Sequence, residues 1–289
     1  MRIHSRCSRG FTLIELVVVI AISGVLVAAS AALIVAPINL QRDQQRRALL
    51  TADADAALRA LQLDLRSAVP GSVRVSAMPG GATLEMLQSR GSALLRTGDT
   101  SVTAAWNLDA GVPDPAFSTL NELPGLVRPL VASMQSLLVF DPALGADAAY
   151  DAAGALTPLG TSVSIIAGPA LGQDLITLSP AFTFSALGAT PVLHLVTGSV
   201  AWVCDTGTRR LLRIAGYAVD PDRSRRDSVA ELVAAGGSGA VMATDVSACA
   251  FATGAPAANG TEVVTFSLSV QRAGEQITLA GQQLLQVLL

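Results

Sequence analysis

Hydrophobic and polar positions follow three different rhythms along the chain. From Leu16 to Ala36 no residue is charged. As a helix these 21 residues would span roughly 31 Å at ~1.5 Å per residue, which matches a hydrocarbon core of about 30 Å. The run therefore predicts a membrane-spanning helix, and Pro37 is the place for a kink where it would leave the membrane. From Leu40 to Val69 there is neither Gly nor Pro, and Leu50, Ala54, Ala57, Leu58, Leu61, Leu65 and Ala68 recur at the spacing of one helical face. Asp53, Asp55, Arg59, Gln62, Asp64 and Arg66 fall on the other faces. One long helix is expected to reach about Val69, with Pro70-Gly71 as its stop signal. Its second half should pack on a sheet.

After Gly71 the texture changes to short apolar runs between Gly, Pro, Asn and Asp clusters, the pattern of strands and turns. Strands are expected at 73–77, 83–87, 136–140, 175–178, 192–196, 200–204 and 211–214. The clearest is Val263–Val270, where Val264, Phe266, Leu268 and Val270 alternate with Thr265, Ser267 and Ser269, giving a strand with one buried face. Arg272-Ala273-Gly274-Glu275 reads as a turn. Ile277 and Leu279 return, and residues 284–289 would close the sheet. The stretch 98–172 is rich in Ala, Gly, Pro and Asp and reads mostly as long loops. The expected class is α+β, with a long N-terminal helix packed on an antiparallel, β-rich C-terminal head.

Composition narrows the chemistry. All 19 basic residues are Arg, which excludes a phosphate-loop lysine, a Schiff-base lysine and a Ser–Lys pair. The net charge is −3, and no basic stripe with interleaved aromatics argues for a nucleic-acid partner. Histidine occurs only at His4 and His194, too few for an imidazole-rich metal centre. Gly236-Gly237-Ser238-Gly239 runs into Ala240 and is no nucleophile elbow. Asp220, Asp222 and Asp227 cluster in an oxygen-rich loop that calcium would favour, but Arg223, Arg225 and Arg226 interleave them, and a solvated loop with local ion pairs is the better reading. His194, alone on an apolar strand, reads as an ordinary core or surface residue. No catalysis, cofactor or metal is expected.

The N-terminus holds the most specific signal. Arg2, Arg6 and Arg9 precede Gly10, and Phe11-Thr12-Leu13-Ile14-Glu15 opens the apolar run. A carboxylate at the start of a membrane helix is costly and calls for a partner. If the chain is cut after Gly10, Phe11 gains a free amine, and Glu15 can meet the terminal amine of a neighbouring subunit in a packed helix bundle. Residues Arg9 to Leu16 resemble the processing motif of type IV prepilins and type II secretion pseudopilins. That resemblance implies a pilin-like fold, cleavage by a prepilin peptidase between Gly10 and Phe11, N-methylation of Phe11 and a register role for Glu15 in assembly. It implies as partners the peptidase/methyltransferase, other major and minor pilins through the helix, membrane lipid and an inner-membrane assembly platform. One departure is that the only proline of the span is Pro37, where many major pilins carry one near mid-span. The expected layout is a leader at 1–10, a helix at 11–69 with 16–36 in the inner membrane, and a periplasmic head at 70–289.

An ordinary signal peptide is the plain alternative, since Ala29-Ser30-Ala31 offers an A-x-A-like site. Glu15 near the start of the apolar run, and the run's continuation past Ala31 to Ile38, count against it. With Cys7 lost in the leader, Cys204 and Cys249 remain, and an even pair on the outer side of a membrane reads as one disulfide, with two buried thiols as the alternative. Blocks around Trp202-Val203-Cys204-Asp205, Leu211-Leu212-Arg213, Gly216-Tyr217 and Pro70-Gly71-Ser72 also resemble minor components of the mannose-sensitive haemagglutinin (MSHA) pilus biogenesis system. The larger minor pseudopilins of type II secretion remain the near rival, and a pilus-displayed adhesin remains open.

Overall fold

The computed structural model of the chain describes residues 12–98, 106–132, 136–254 and 261–286, and for 31–40 the backbone only. It divides into two compact units, Met1–Leu49 and Leu50–Leu289. Helix α1 (Leu13–Arg66) contributes to both and runs through Pro37. In the first unit its apolar side chains from Leu13 to Val27 stand exposed.

In the second unit the 3.6-residue stripe does what its spacing dictates. Leu50, Ala54, Ala57, Leu61 and Leu65 are all buried, in one cluster with Leu84, Met86, Trp202, Phe266 and Leu268. The helix stops at Arg66, ahead of Pro70-Gly71, because the next residues leave it for a strand. Ser89 N–H donates to Ser67 O and Val69 N–H donates to Leu87 O. Gly71 then turns the chain with φ +81°, a conformation that costs glycine nothing.

The chain continues as β1 (Arg74–Met78), β2 (Gly81–Leu94), β3 (Pro113–Ser118), β4 (Leu130–Ala132), β5 (Ser136–Leu138), β6 (Ser162–Ala167), β7 (Asp174–Thr183), β8 (Val192–Asp205) and β9 (Arg210–Ala215). A short helix α2 (Val229–Ala234) follows, and then β10 (Ser238–Thr244), β11 (Val246–Thr253), β12 (Glu262–Arg272) and β13 (Glu275–Leu285). Every pairing among these strands is antiparallel. The largest sheet has the order β1-β2-β8-β9-β10, with β5 also on β8; the others are β11-β12-β13 and β3-β7-β6-β4. This is the α+β arrangement that the resemblance implies: a long N-terminal apolar helix followed by an antiparallel, β-rich region.

Strands β2 and β8 carry the head. Near their β1 and β9 ends they cover the α1 face. Their other ends belong to a second core, where Ala93, Leu193 and Leu195 pack with Phe117, Val163 and Ile176. The two runs expected separately at 192–196 and 200–204 are therefore one strand, β8, which pairs with β5 over Leu138–Ser136 and then with β9 from Val200. The strand expected at 136–140 is β5, but the expectation of long loops across the rest of 98–172 is corrected, since β3, β4 and β6 also lie there. Strand β3, with two Pro and an Asp, carries little local preference, and there tertiary pairing with β7 supplies it. The connection before β4 is tied down by charge. Asp174, fully buried, accepts from the Arg128 guanidinium (Nη2, 2.8 Å) and from Leu123 N–H (2.7 Å).

At the C-terminal hairpin, Arg272 pairs with Glu275, so the loop is Ala273-Gly274 with φ of 52° and 84°. Both values are positive, as a type I′ turn requires. Of the segment 284–289, Leu284 and Leu285 end β13, and the last three residues lie outside the described ones.

Cys204 of β8 and Cys249 of β11 form a disulfide, with Cα atoms 6.3 Å apart, that joins the large sheet to the three-stranded one. Closing a loop of 45 residues contributes roughly 4 kcal/mol by loop entropy. Cys249→Ser is expected to lower the unfolding free energy by about that amount in urea titrations, and reductant should lower the wild type to the variant's midpoint while leaving the variant unchanged. A wild type indifferent to reductant would contradict a stabilising bridge.

Candidate functional site

The described part of the N-terminal motif begins at Thr12. Thr12 is the N-cap of α1: Leu16 N–H donates to Thr12 O at 3.2 Å. Its amide and hydroxyl both donate to Glu15 Oε2, at 3.2 and 3.1 Å, and Glu15 N–H donates to Thr12 Oγ1 at 3.3 Å. This is a reciprocal capping box. It gives Glu15 two donors within its own chain and sets its negative charge where the helix dipole favours it. The signal was in the sequence, as Thr-x-x-Glu ahead of an apolar run, and reasoning centred on a partner subunit passed over it. Gly10 and Phe11 lie outside the described residues.

Beyond this cap the helix holds no charge until Arg42. Leu13–Ser30 is long and apolar enough to cross a membrane. The one hydroxyl at its end, Ser30 Oγ, donates back to Leu26 O at 2.7 Å, so it does not present an unmet donor to an apolar surrounding.

Residues 5–31 match the family model described as the prokaryotic N-terminal methylation motif. The chain has a prepilin-type N-terminus. That motif belongs to type IV pilins and pseudopilins and implies processing by a prepilin peptidase. The apolar helix that follows the motif is long and apolar enough to cross a membrane. No curated protein sequence and no solved structure matches the chain.

The head holds three arrangements of charge. The first is buried. Arg74 donates to Glu85 at 2.7 Å with both side chains essentially sealed, stacks over Tyr150 at 3.8 Å, and donates to Asp147 and to the carbonyls of Asp220 and Pro221. Tyr217 donates its hydroxyl to the other Glu85 oxygen at 2.9 Å. Burial pushes Glu85 above the usual carboxylate range, and Arg74 pulls it back. A pair so well bonded tolerates its desolvation.

The second is the acidic loop of 220–227, which the first holds by its backbone. Its side chains pair outward. Arg225 and Arg226 lie beside Asp220, Asp222 caps the turn through Ser224, and Arg223 meets Asp147 at 2.6 Å. The three aspartates do not converge, and among the described residues no three His, Cys, Asp or Glu side chains gather as a metal site would need.

The third arrangement comprises two isolated buried titratable groups. His194 is buried on β8, and burial lowers its pKa to about 4, so it is neutral at physiological pH. Glu262, at the start of β12, is 3% exposed, accepts from Gly71 N–H at 3.2 Å, and is pushed up by burial from 4.5 to about 7. A carboxyl whose pKa is raised in the folded state adds stability that is fully present below its ordinary value and is lost as pH rises through the folded value. Relative to Glu262→Gln, the wild type is expected to lose stability between pH 4.5 and about 7 and to stay level on either side. Urea midpoints of the two proteins at pH 4, 6 and 8 check this, and parallel midpoints would refute it.

Proposed function

We propose that this prepilin is a minor pilin or pseudopilin that helps initiate or assemble a type IV filament. In this reading it is cut after Gly10, methylated on Phe11 and held in the inner membrane with its head in the periplasm. It then packs α1 against the helices of other pilins, with Glu15 taking the terminal amine of a neighbour. The observation that carries the reading is the methylation-motif match over residues 5–31, followed by a helix with no charge between Glu15 and Arg42. The Thr12–Glu15 cap supports it physically. A carboxylate already bonded to its own helix end is cheaper to carry into an apolar bundle than a bare one. An assembly role at the filament start, in an MSHA-like system, is supported by the scattered resemblance to MshO in the blocks around Trp202 and Pro70-Gly71.

Intact-mass and N-terminal analysis of membrane-extracted protein, with and without prepilin peptidase, tests the pathway. A chain beginning at N-methylated Phe11 only when the peptidase is present is the expected result. A chain beginning at Ala32 would mean signal-peptide release and would end the assembly reading. Glu15→Ala is expected to leave cleavage intact and to strongly reduce recovery of the chain in sheared filament fractions. Undiminished recovery would remove the proposed pairing.

A further inference from the structure

A cavity of about 250 Å³ with mixed polar and apolar walls lies beside the end of α1, its polar lining made by Arg66, Ser67, Ser89, Arg90, Ser92, His194 and Gln286. No Asp or Glu is among its lining residues. Two local irregularities of the fold create it. Strand β2 is bulged: Ser89 pairs with Val196 and Gly91 with Leu195, so Arg90 has no partner on β8 and is thrown out of the ladder. Bulges re-aim a side chain in this way and are common beside functional sites. The bulge is held by Ser89, whose hydroxyl donates to Gly91 O at 2.9 Å and accepts from Gly91 N–H at 3.2 Å. A Cβ at Gly91 would stand 3.2 Å from the Pro124 ring that closes one wall, so the ring would have to give by a few tenths of an ångström to admit one. The second irregularity is the early end of α1, which leaves Arg66 on its last turn facing the same space.

The charged groups that line this cavity are donors, and the neutral His194 ring adds one N–H. His194 is 4% exposed, and its ring has no hydrogen-bond partner among the described residues. Its ring nitrogens are not among the sealed, unpartnered polar atoms of the described residues, and the residue stands on the cavity wall. The guanidinium groups of Arg66 and Arg90 are likewise without a carboxylate among the described residues. The carbonyls of the last turn of α1 would repel an anion, but they are already engaged. Asp64 O accepts from Ser67 N–H and from the Gln88 amide, and Leu65 O accepts from Ala68 N–H. Two fixed positive charges, a buried imidazole and no carboxylate match an oxyanion, for which guanidinium forks are the strongest protein ligands. The volume falls just below the range of drug-sized pockets.

We propose that this cavity binds a small free oxyanion, a carboxylate or phosphate carried on a molecule no larger than a monosaccharide, with Arg66 and Arg90 clamping the charge and His194 bonding it from the floor. The test uses the full-length, processed chain in detergent micelles, titrated calorimetrically with inorganic phosphate and, separately, with glucuronate. Removal of the leader takes away His4, so His194 is the only histidine left, and its ring resonances report on the site alone. Saturable one-site binding of at least one probe, with movement of the His194 ring signals, is expected. Arg66→Gln and Arg90→Gln should each weaken it at least about ten-fold, as loss of one charge-assisted hydrogen bond implies. Both arginines are exposed, so their variants should keep the wild-type melting temperature. Binding of phosphate alone assigns a phosphoryl ligand, and binding of glucuronate alone assigns a carboxylate. No saturation with either probe would overturn the proposal. So would unchanged affinity in Arg66→Gln and Arg90→Gln, or saturation that leaves the His194 ring unmoved.

Discussion

The carboxylate of Asp64 accepts a bidentate pair from Arg213, at 2.7 and 3.0 Å, and a third bond from the Trp202 indole at 2.8 Å, and the head is registered on that grip. An apolar stripe can slide or roll on a sheet at small cost, because dispersion contacts are non-directional. A carboxylate bonded in two directions cannot. Asp64 sits beside Leu61 and Leu65 on α1, while Arg213 and Trp202 sit across from one another on β9 and β8. One side chain thus fixes both the rotation of the helix and its height on the sheet. The disulfide then ties the three-stranded sheet to the same strand two residues on, at Cys204.

Arginine alone supplies the cations of this head, and the packing makes use of that. Arg74 is sealed between Glu85 and Tyr150 and still reaches two loop carbonyls. A lysine has neither the flat face to stack nor the fork to reach so many acceptors. The same geometry recurs at Arg128, which closes the connection before β4 on Asp174 and Leu123 O. The stretch 98–172 is therefore ordered both by multidentate guanidinium groups and by its own buried side chains, among them Phe117, Leu123, Leu137 and Val163.

This division explains what could be read in advance. The 3.6-residue stripe from Leu50 to Leu65 and the two-residue alternation of Val263–Val270 state their burial directly, and both lie in the core as their periods require. The prepilin motif is local and chemically specific, so it was legible without any fold. Strands β10 and β11, built largely of Gly, Ala and Ser, carry no such period, and β3 and β4 are too short to show one. Asp64 looked like one more polar residue on an outer helix face, because nothing local reveals that Arg213 waits 149 residues away. The cavity at His194 was hidden for a similar reason. Its parts come from the end of a helix, a bulge and a strand interior, and a bulge leaves no reliable trace in a single sequence.

Strands β2 and β8 are common to both cores of the head, and this has a consequence for how the molecule comes apart. Peeling away the four-stranded sheet exposes Leu193 and Leu195, while peeling away α1 exposes Leu84 and Trp202. Each loss strips one flank of the same pair of strands. Because the two layers share these strands, loosening either layer removes packing from a strand pair on which the other also rests.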